Sequence, residues 1–300
     1  MLNIRKFAAI DIGSNAIRLL IQDIIEAEDE PLQFRKNALV RVPVRLGQDA
    51  FTTGKITEAN TERISDTVQA FKLIMKVHGV EKYMACATSA MREAVNGEAI
   101  VTSIYKETDV KIEIIGGKRE AEIIAATDLN RFIEKDETYL YVDVGGGSTE
   151  FTLFSEGKTI ASKSFKIGTV RLLNKMVKTT IWSTIEQWIK VHTASYKDIV
   201  IIASGGNINK LFKMSGLKPG EPLPYIWLNA QYDYLKGMTY EDRISKLGLN
   251  ADRADVIVPA TRIYLSAAKW SGAGSIHVPK IGLSDGIIRL LYTTEKDRSV

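Results

Sequence analysis

The chain has 300 residues, 40 Lys/Arg against 36 Asp/Glu, a formal charge of +4 and one cysteine. Its 45% hydrophobic and 25% charged content is that of a globular protein, and its length suits two domains. One cysteine, Cys86, excludes an internal disulfide, and three histidines (His78, His192, His277) with that cysteine make no recognisable zinc site. An excess of +4 is too small for a nucleic-acid coat, no run is long and apolar enough for a membrane span, and no secretory signal opens the chain. A reducing, cytoplasmic setting is expected.

Strands and helices alternate. Lys6–Ile12 reads as a buried strand and Ala16–Ile25 as a second after a turn at Gly13-Ser14-Asn15. Thr57 caps a predicted helix to His78, with Ile64, Val68, Phe71 and Met75 spaced 4, 3 and 4 apart on one stripe. Tyr83–Ala87 is a short strand, and Ser89 starts a helix through Glu107. Lys111–Ile115 is a strand, and a helix from Arg119 to Ile133 leads to the polar connector Glu134–Thr138. Tyr139–Val144 is a strand, Gly145–Ser148 a turn and Thr149–Phe154 a returning strand. Helical patterns follow at 168–178 and 182–194, and Ile199–Ala203 is a buried strand ending in Ser204-Gly205-Gly206. Residues 215–225, with three prolines, read as a surface loop, and helices at 252–271 and 284–296 finish the chain. This alternation predicts an α/β architecture with mixed sheets.

A weak repeat runs through it. AIDIGSNAIRLL (9–20) and YVDVGGGSTEFTL (141–153) share an Asp, an apolar residue, a glycine-rich turn and a returning strand, with the aspartates 132 residues apart. Glycine-rich turns expose backbone amides that form a nest for phosphate oxygens, and Ser14, Ser148 and Thr149 add hydroxyls. An Asp beside a phosphate is useful when a divalent cation stands between them. Magnesium favours one or two carboxylates with water and phosphate. Neither turn has the dinucleotide-fold spacing, and no Walker-type loop is present. Three segments extend the candidate site. ATSAMREAVN (87–96) joins a strand to a helix and offers Arg92. IGGKREA (115–121) places Glu120 in a first helical turn. ASGGN (203–207) is a third small-residue turn.

These segments, with Arg18, RADVIVPA (253–260) and SDGIIR (284–289), resemble the exopolyphosphatase/guanosine pentaphosphate phosphohydrolase family, in its order and over nearly the whole chain. The resemblance implies the actin-like, ribonuclease H-like ATPase fold, two related α/β domains (1–125 and 126–300, the last helix returning to the first) with the active site in the cleft between them. It implies Mg²⁺ or another divalent cation, with inorganic polyphosphate or guanosine pentaphosphate as substrate. Neither nucleic acid nor membrane is implied as a partner, and a homodimer is one assembly open to such a chain.

By motif, Glu120 matches the family's general base, and Asp143 and Glu150 match its metal- and water-positioning carboxylates. Asp11 matches the acid of the first phosphate turn and joins the metal set. Ser14, Asn15, Arg92, Gly145, Gly146, Gly147, Ser148, Ser204, Gly205 and Gly206 match its phosphate contacts. The chain departs from the family pattern at Ala16, Arg119 and ASGGN, and lacks the helical extension of longer members. The alternatives are a kinase of the same fold and a polyphosphate or nucleotide sensor without turnover. The charge is also uneven. Residues 151–200 hold eight Lys/Arg against three acids, a net +5, read as either a solvated face or a basic track for a polyanion.

Overall fold

A computed structural model describes residues 2–125, 127 and 137–298. The first unit comprises residues 1–127 with 283–300, and the second 128–282.

In the first unit, β1 (Asn3–Ile12) and β2 (Ile17–Glu26) form a hairpin extended by β3 (Gln33–Val42). Two helices follow, α1 (Leu46–Thr52) and α2 (Glu58–His78), then β4 (Lys82–Ala87), α3 (Ser89–Glu93), α4 (Gly97–Thr108), β5 (Ile112–Ile114) and α5 (Gly117–Ala125). The sheet order is β3-β2-β1-β4-β5. The first three strands are antiparallel, and β1, β4 and β5 are parallel. Its centre is apolar because β1 and β2 bury Phe7, Ala8, Ile10, Leu19 and Ile21.

The second unit runs β6 (Thr138–Val144), β7 (Thr149–Ser155), β8 (Lys158–Phe165), α6 (Thr169–Leu173), α7 (Thr179–Thr193), β9 (Val200–Ser204) and α8 (Gly206–Ser215). Then come β10 (Leu223–Pro224), α9 (Tyr225–Gly237), α10 (Tyr240–Ser245), α11 (Ala251–Ala254), α12 (Ile257–Ser271) and β11 (Ser275–His277). Its sheet order is β10-β11-β9-β6-β7-β8, again an antiparallel meander (β6, β7, β8) beside parallel β6, β9 and β11. The final helix, α13 (Leu283–Arg298), packs against β1 and α5 of the first unit. Gly286 permits the approach to α5, since a Cβ there would lie 2.2 Å from the Ile123 carbonyl oxygen.

The two units therefore share one topology, so the sequence repeat reflects a repeated fold. The expected α/β class with mixed sheets and two related units holds. The helix capped by Thr57 forms as predicted, its hydroxyl accepting from the Asn60 amide. The helix expected from Ser89 to Glu107 is broken, because Ala94 turns to extended backbone and α4 restarts at Gly97. The meander strands β3 and β8 were not predicted. β8 carries lysines on an exposed face and reads as polar, as an edge strand does. Pro224 ends a short strand within the expected loop 215–225. The expected helix end at Ile133 and most of the connector Glu134–Thr138 lie outside the described residues.

Candidate functional site

In the first unit the candidate residues gather at the carboxyl ends of the parallel strands, the edge where open α/β sheets place their ligands. Asp11 is buried at the end of β1 and faces Arg18 across the hairpin, whose Nη1 donates to Oδ2 at 2.8 Å. The turn closes through the Gly13 amide and the Ala16 carbonyl (3.1 Å). The carbonyls of Ser14 and Asn15 then accept from the amides of Gly47 (2.7 Å) and Arg45 (3.1 Å) at the start of α1. Gly47 makes this fit, since a Cβ there would meet the Ser14 Cβ at 3.0 Å. The Ser14 hydroxyl lies 2.9 Å from the Ser89 hydroxyl and so ties the turn to α3. Arg92 Nη1 donates to the Ile115 carbonyl at 2.6 Å, which uses one of its five N–H donors. That bond fixes α3 beside the glycine pair where α5 begins. Glu120 sits in the first turn of α5, 7% exposed, its amide donating to the Gly116 carbonyl.

Cys86 reports how close these acids are. Its thiol is pushed up to about 12, first by burial and then by Glu113, Asp11 and Glu120, with Arg119 opposing. Asp11 and Glu120, distant in sequence, thus act on one buried group. The thiol itself stays protonated and is no nucleophile.

The second unit repeats the turn at an offset of 132 residues: Asp143 faces Glu150 as Asp11 faces Arg18. The Gly145 amide donates to the Ser148 carbonyl at 3.0 Å, matching Gly13 and Ala16. The carbonyls of Gly145 and Gly146 accept from the amides of Thr169 (3.0 Å) and Val170 (2.9 Å), and that of Gly147 from the buried Arg171 Nε (2.7 Å). All three carbonyls are thereby turned toward α6. Among the described residues, the amides of Gly146 and Gly147 donate to no backbone carbonyl. Gly168 lies against this turn so closely that a Cβ would sit 2.4 Å from Gly146.

The partner across the hairpin sets the chemistry. In the first unit it is a cation, which neutralises Asp11. In the second it is a carboxylate, so Asp143 and Glu150 bring two negative groups to neighbouring strands. Glu150 is buried, and its Oε1 accepts from the Ser164 hydroxyl at 2.8 Å. At the end of β9, Ser204 is held twice. Tyr141 Oη donates to its hydroxyl and Tyr264 Oη to its carbonyl, both at 2.6 Å. Gly205 has φ +118°, a conformation suited to glycine, and a Cβ there would lie 2.9 Å from Tyr264 Oη and 3.7 Å from Asp143 Oδ1. The Tyr264 hydroxyl is driven well above its ordinary range by burial and then by Asp143. Asp143 and the Ser204-Gly205-Gly206 turn therefore form one local cluster with Tyr264 at its back.

Among the described residues, no three or more His, Cys, Asp or Glu side chains gather as a metal cage. A magnesium-type ion, which takes one or two carboxylates and completes its shell with water and phosphate, fits Asp143 and Glu150. Asp11, committed to Arg18, fits less well.

The basic residues of segment 151–200 fall in different settings. Arg171 is buried and serves the glycine turn, and Lys190 pairs with Glu186 at 2.6 Å. Lys158 and Lys163 lie on the edge strand β8, where lysines discourage edge-to-edge pairing.

Sequence reasoning missed Tyr141, Tyr264, Arg171 and Gly168. Each supports the turns from behind and carries no pattern of its own. Gly168, just before a helical run, was the one visible hint.

The model of the Ppx/GppA phosphatase family matches residues 38–294. The chain belongs to this family. Exopolyphosphatase 1 of Mycobacterium tuberculosis is 23% identical over 97% of this chain and 90% of its own length. An exopolyphosphatase structure from Cytophaga hutchinsonii superposes with a TM-score of 0.83 at 25% identity, covering 98% of each chain. The Aquifex aeolicus Ppx/GppA member gives a TM-score of 0.75 at 23% identity over 98% of this chain and 99% of that one.

Proposed function

We propose that this Ppx/GppA phosphatase is an exopolyphosphatase, hydrolysing the terminal phosphoanhydride of inorganic polyphosphate and releasing phosphate. The observation that carries the reading is the second glycine turn. Its carbonyls are bound from behind, its central amides remain for an anion, and Asp143 and Glu150 stand on the strands that flank it. Similarity to proteins named exopolyphosphatase supports the substrate class. Guanosine pentaphosphate offers the same terminal anhydride to the same groups and is the second substrate to test.

Glu120 accepts the proton of the attacking water, a role suited to a buried carboxylate at a helix start. The amides of Gly146 and Gly147, with the hydroxyls of Ser14 and Ser148 and the guanidinium of Arg92, orient the terminal phosphate and meet the charge that builds on its oxygens. Asn15 and the Ser204–Gly206 turn line further phosphate contacts. Asp143 and Glu150 would hold a divalent cation, which when bound supplies positive charge to the phosphoryl oxygens.

The test is phosphate release from polyphosphate and guanosine pentaphosphate, side by side, with Mg²⁺ and with a chelator. Glu120→Gln should lower kcat by about 10²–10⁴-fold, the usual worth of a general base, with polyphosphate affinity nearly kept. Near-normal turnover in Glu120→Gln removes it as the base. Release from neither substrate favours the sensor.

A further inference from the structure

The second unit contains a basic pocket outside the glycine turns. It measures about 270 Å³ and is lined by Asn209, Lys210 and Lys213 of α8 together with Gly248, Asn250 and Arg253 at the start of α11. Spacings of three and four residues place Lys210 and Asn209 beside Lys213 on one face of the helix. No carboxylate lines the cavity. Lys210 Nζ reaches the Leu247 carbonyl at 3.4 Å, which draws it over the pocket rim. Its ammonium is pushed below the ordinary lysine range, first by burial and then by Lys213 and Arg253. Lys213 and Arg253 thus make a charged Lys210 costly, and an anion in the concavity would relieve that cost. Asn209 adds a buried Oδ1 that has no hydrogen-bond partner among the described residues. An occupant that carries negative oxygens and one acidic O–H satisfies both features, and a partly protonated phosphate has them. The volume equals the liquid share of roughly nine waters at about 30 Å³ each, room for a group of one or two phosphates.

We propose that this pocket is a second phosphate-binding site, taking a compact phosphate or pyrophosphate unit through Lys210, Lys213, Arg253 and Asn209. Two sources share that chemistry. The helix α8 starts at the Ser204-Gly205-Gly206 turn, and Lys213 lies about 10 Å further along it at 1.5 Å per residue. The unit can therefore be an inner part of a polyphosphate chain whose end lies at the turn, or a free anion. Binding itself does not depend on the hydrolase reading, because it is measured without turnover.

The experiment is amine-labelling footprinting of the full-length protein in 0.15 M salt, with pyrophosphate as the probe and peptide mass spectrometry as the readout. Pyrophosphate should slow labelling of Lys210 and Lys213 at least threefold and leave Lys190, which pairs with Glu186, unchanged. Unchanged labelling at Lys210 and Lys213 at millimolar pyrophosphate overturns the proposal. The Lys210→Gln/Lys213→Gln double variant identifies the source. A KM for long polyphosphate raised about tenfold, with kcat and the tripolyphosphate KM unchanged, assigns the pocket to the substrate chain. Equal KM values for both substrates, with any effect of pyrophosphate on rate abolished, assign it to a free anion. A protein that protects these lysines yet releases no phosphate keeps the pocket and loses only the hydrolase.

Discussion

Gly168→Ala isolates the contact that shapes the second glycine turn. A Cβ at this position would lie 2.4 Å from the Gly146 carbonyl carbon and oxygen and 2.6 Å from the Gly147 nitrogen. Favourable contact between carbons needs about 3.5–4.0 Å, so the turn or the start of α6 must retreat by roughly 1 Å. The backbone is no obstacle, since φ is −149° and any residue adopts it. The cost is therefore steric, about 1–3 kcal/mol for overpacking a filled site. The same retreat stretches the bonds from Thr169, Val170 and Arg171 that hold the turn's carbonyls. A displacement of about 1 Å in a positioning element can lower turnover on the order of 10²-fold. Denaturant titration and steady-state phosphate release measure both effects. Gly237→Ala is the matched control, because a Cβ there meets nothing within 4 Å. The reasoning fails if Gly168→Ala equals Gly237→Ala in midpoint and kcat.

Four further outcomes can be checked. Gly286→Ala drives a Cβ to 2.2 Å from the Ile123 carbonyl oxygen and should cost about 1–3 kcal/mol by parting α13 from α5; an unchanged denaturation midpoint would count against that packing. Tyr264→Phe deletes the 2.6 Å bond to the Ser204 carbonyl and should cost about 1–3 kcal/mol for the buried acceptor left behind, with a fall in kcat; a loss of stability without any change in rate would separate Tyr264 from the site. The Cys86 thiol, raised from 9.0 to about 12, should resist alkylation at pH 8 until the protein unfolds. Because the folded value is the higher, its contribution to stability is complete below pH 9 and is lost as pH climbs toward 12. Cys86→Ala should therefore flatten the alkaline loss of stability between those limits, and parallel curves for the two proteins would refute the linkage.

Local sequence determined the parts that act through short-range rules. The strand–turn–strand hairpins were legible because alternating apolar runs and glycine turns are local signals, and their 132-residue offset revealed that the fold occurs twice. The Thr57 cap and its helix followed from a cap residue and an apolar stripe. Asp11, Asp143 and Glu120 were visible because each adjoins a turn, and Glu150 came from the family resemblance. Only the tertiary structure decided what those acids face. Cross-strand register gives Asp11 an arginine and Asp143 a glutamate, so two similar motifs acquire opposite electrostatics. Likewise, Arg171 counted as surface charge in the sequence, but packing turns it inward to the Gly147 carbonyl. Tyr264 reaches Ser204 across 60 residues, and Gly168 touches Gly146 across the two strands β7 and β8. Such contacts join segments that no periodicity relates, because they depend on where the sheet places the ends of its strands.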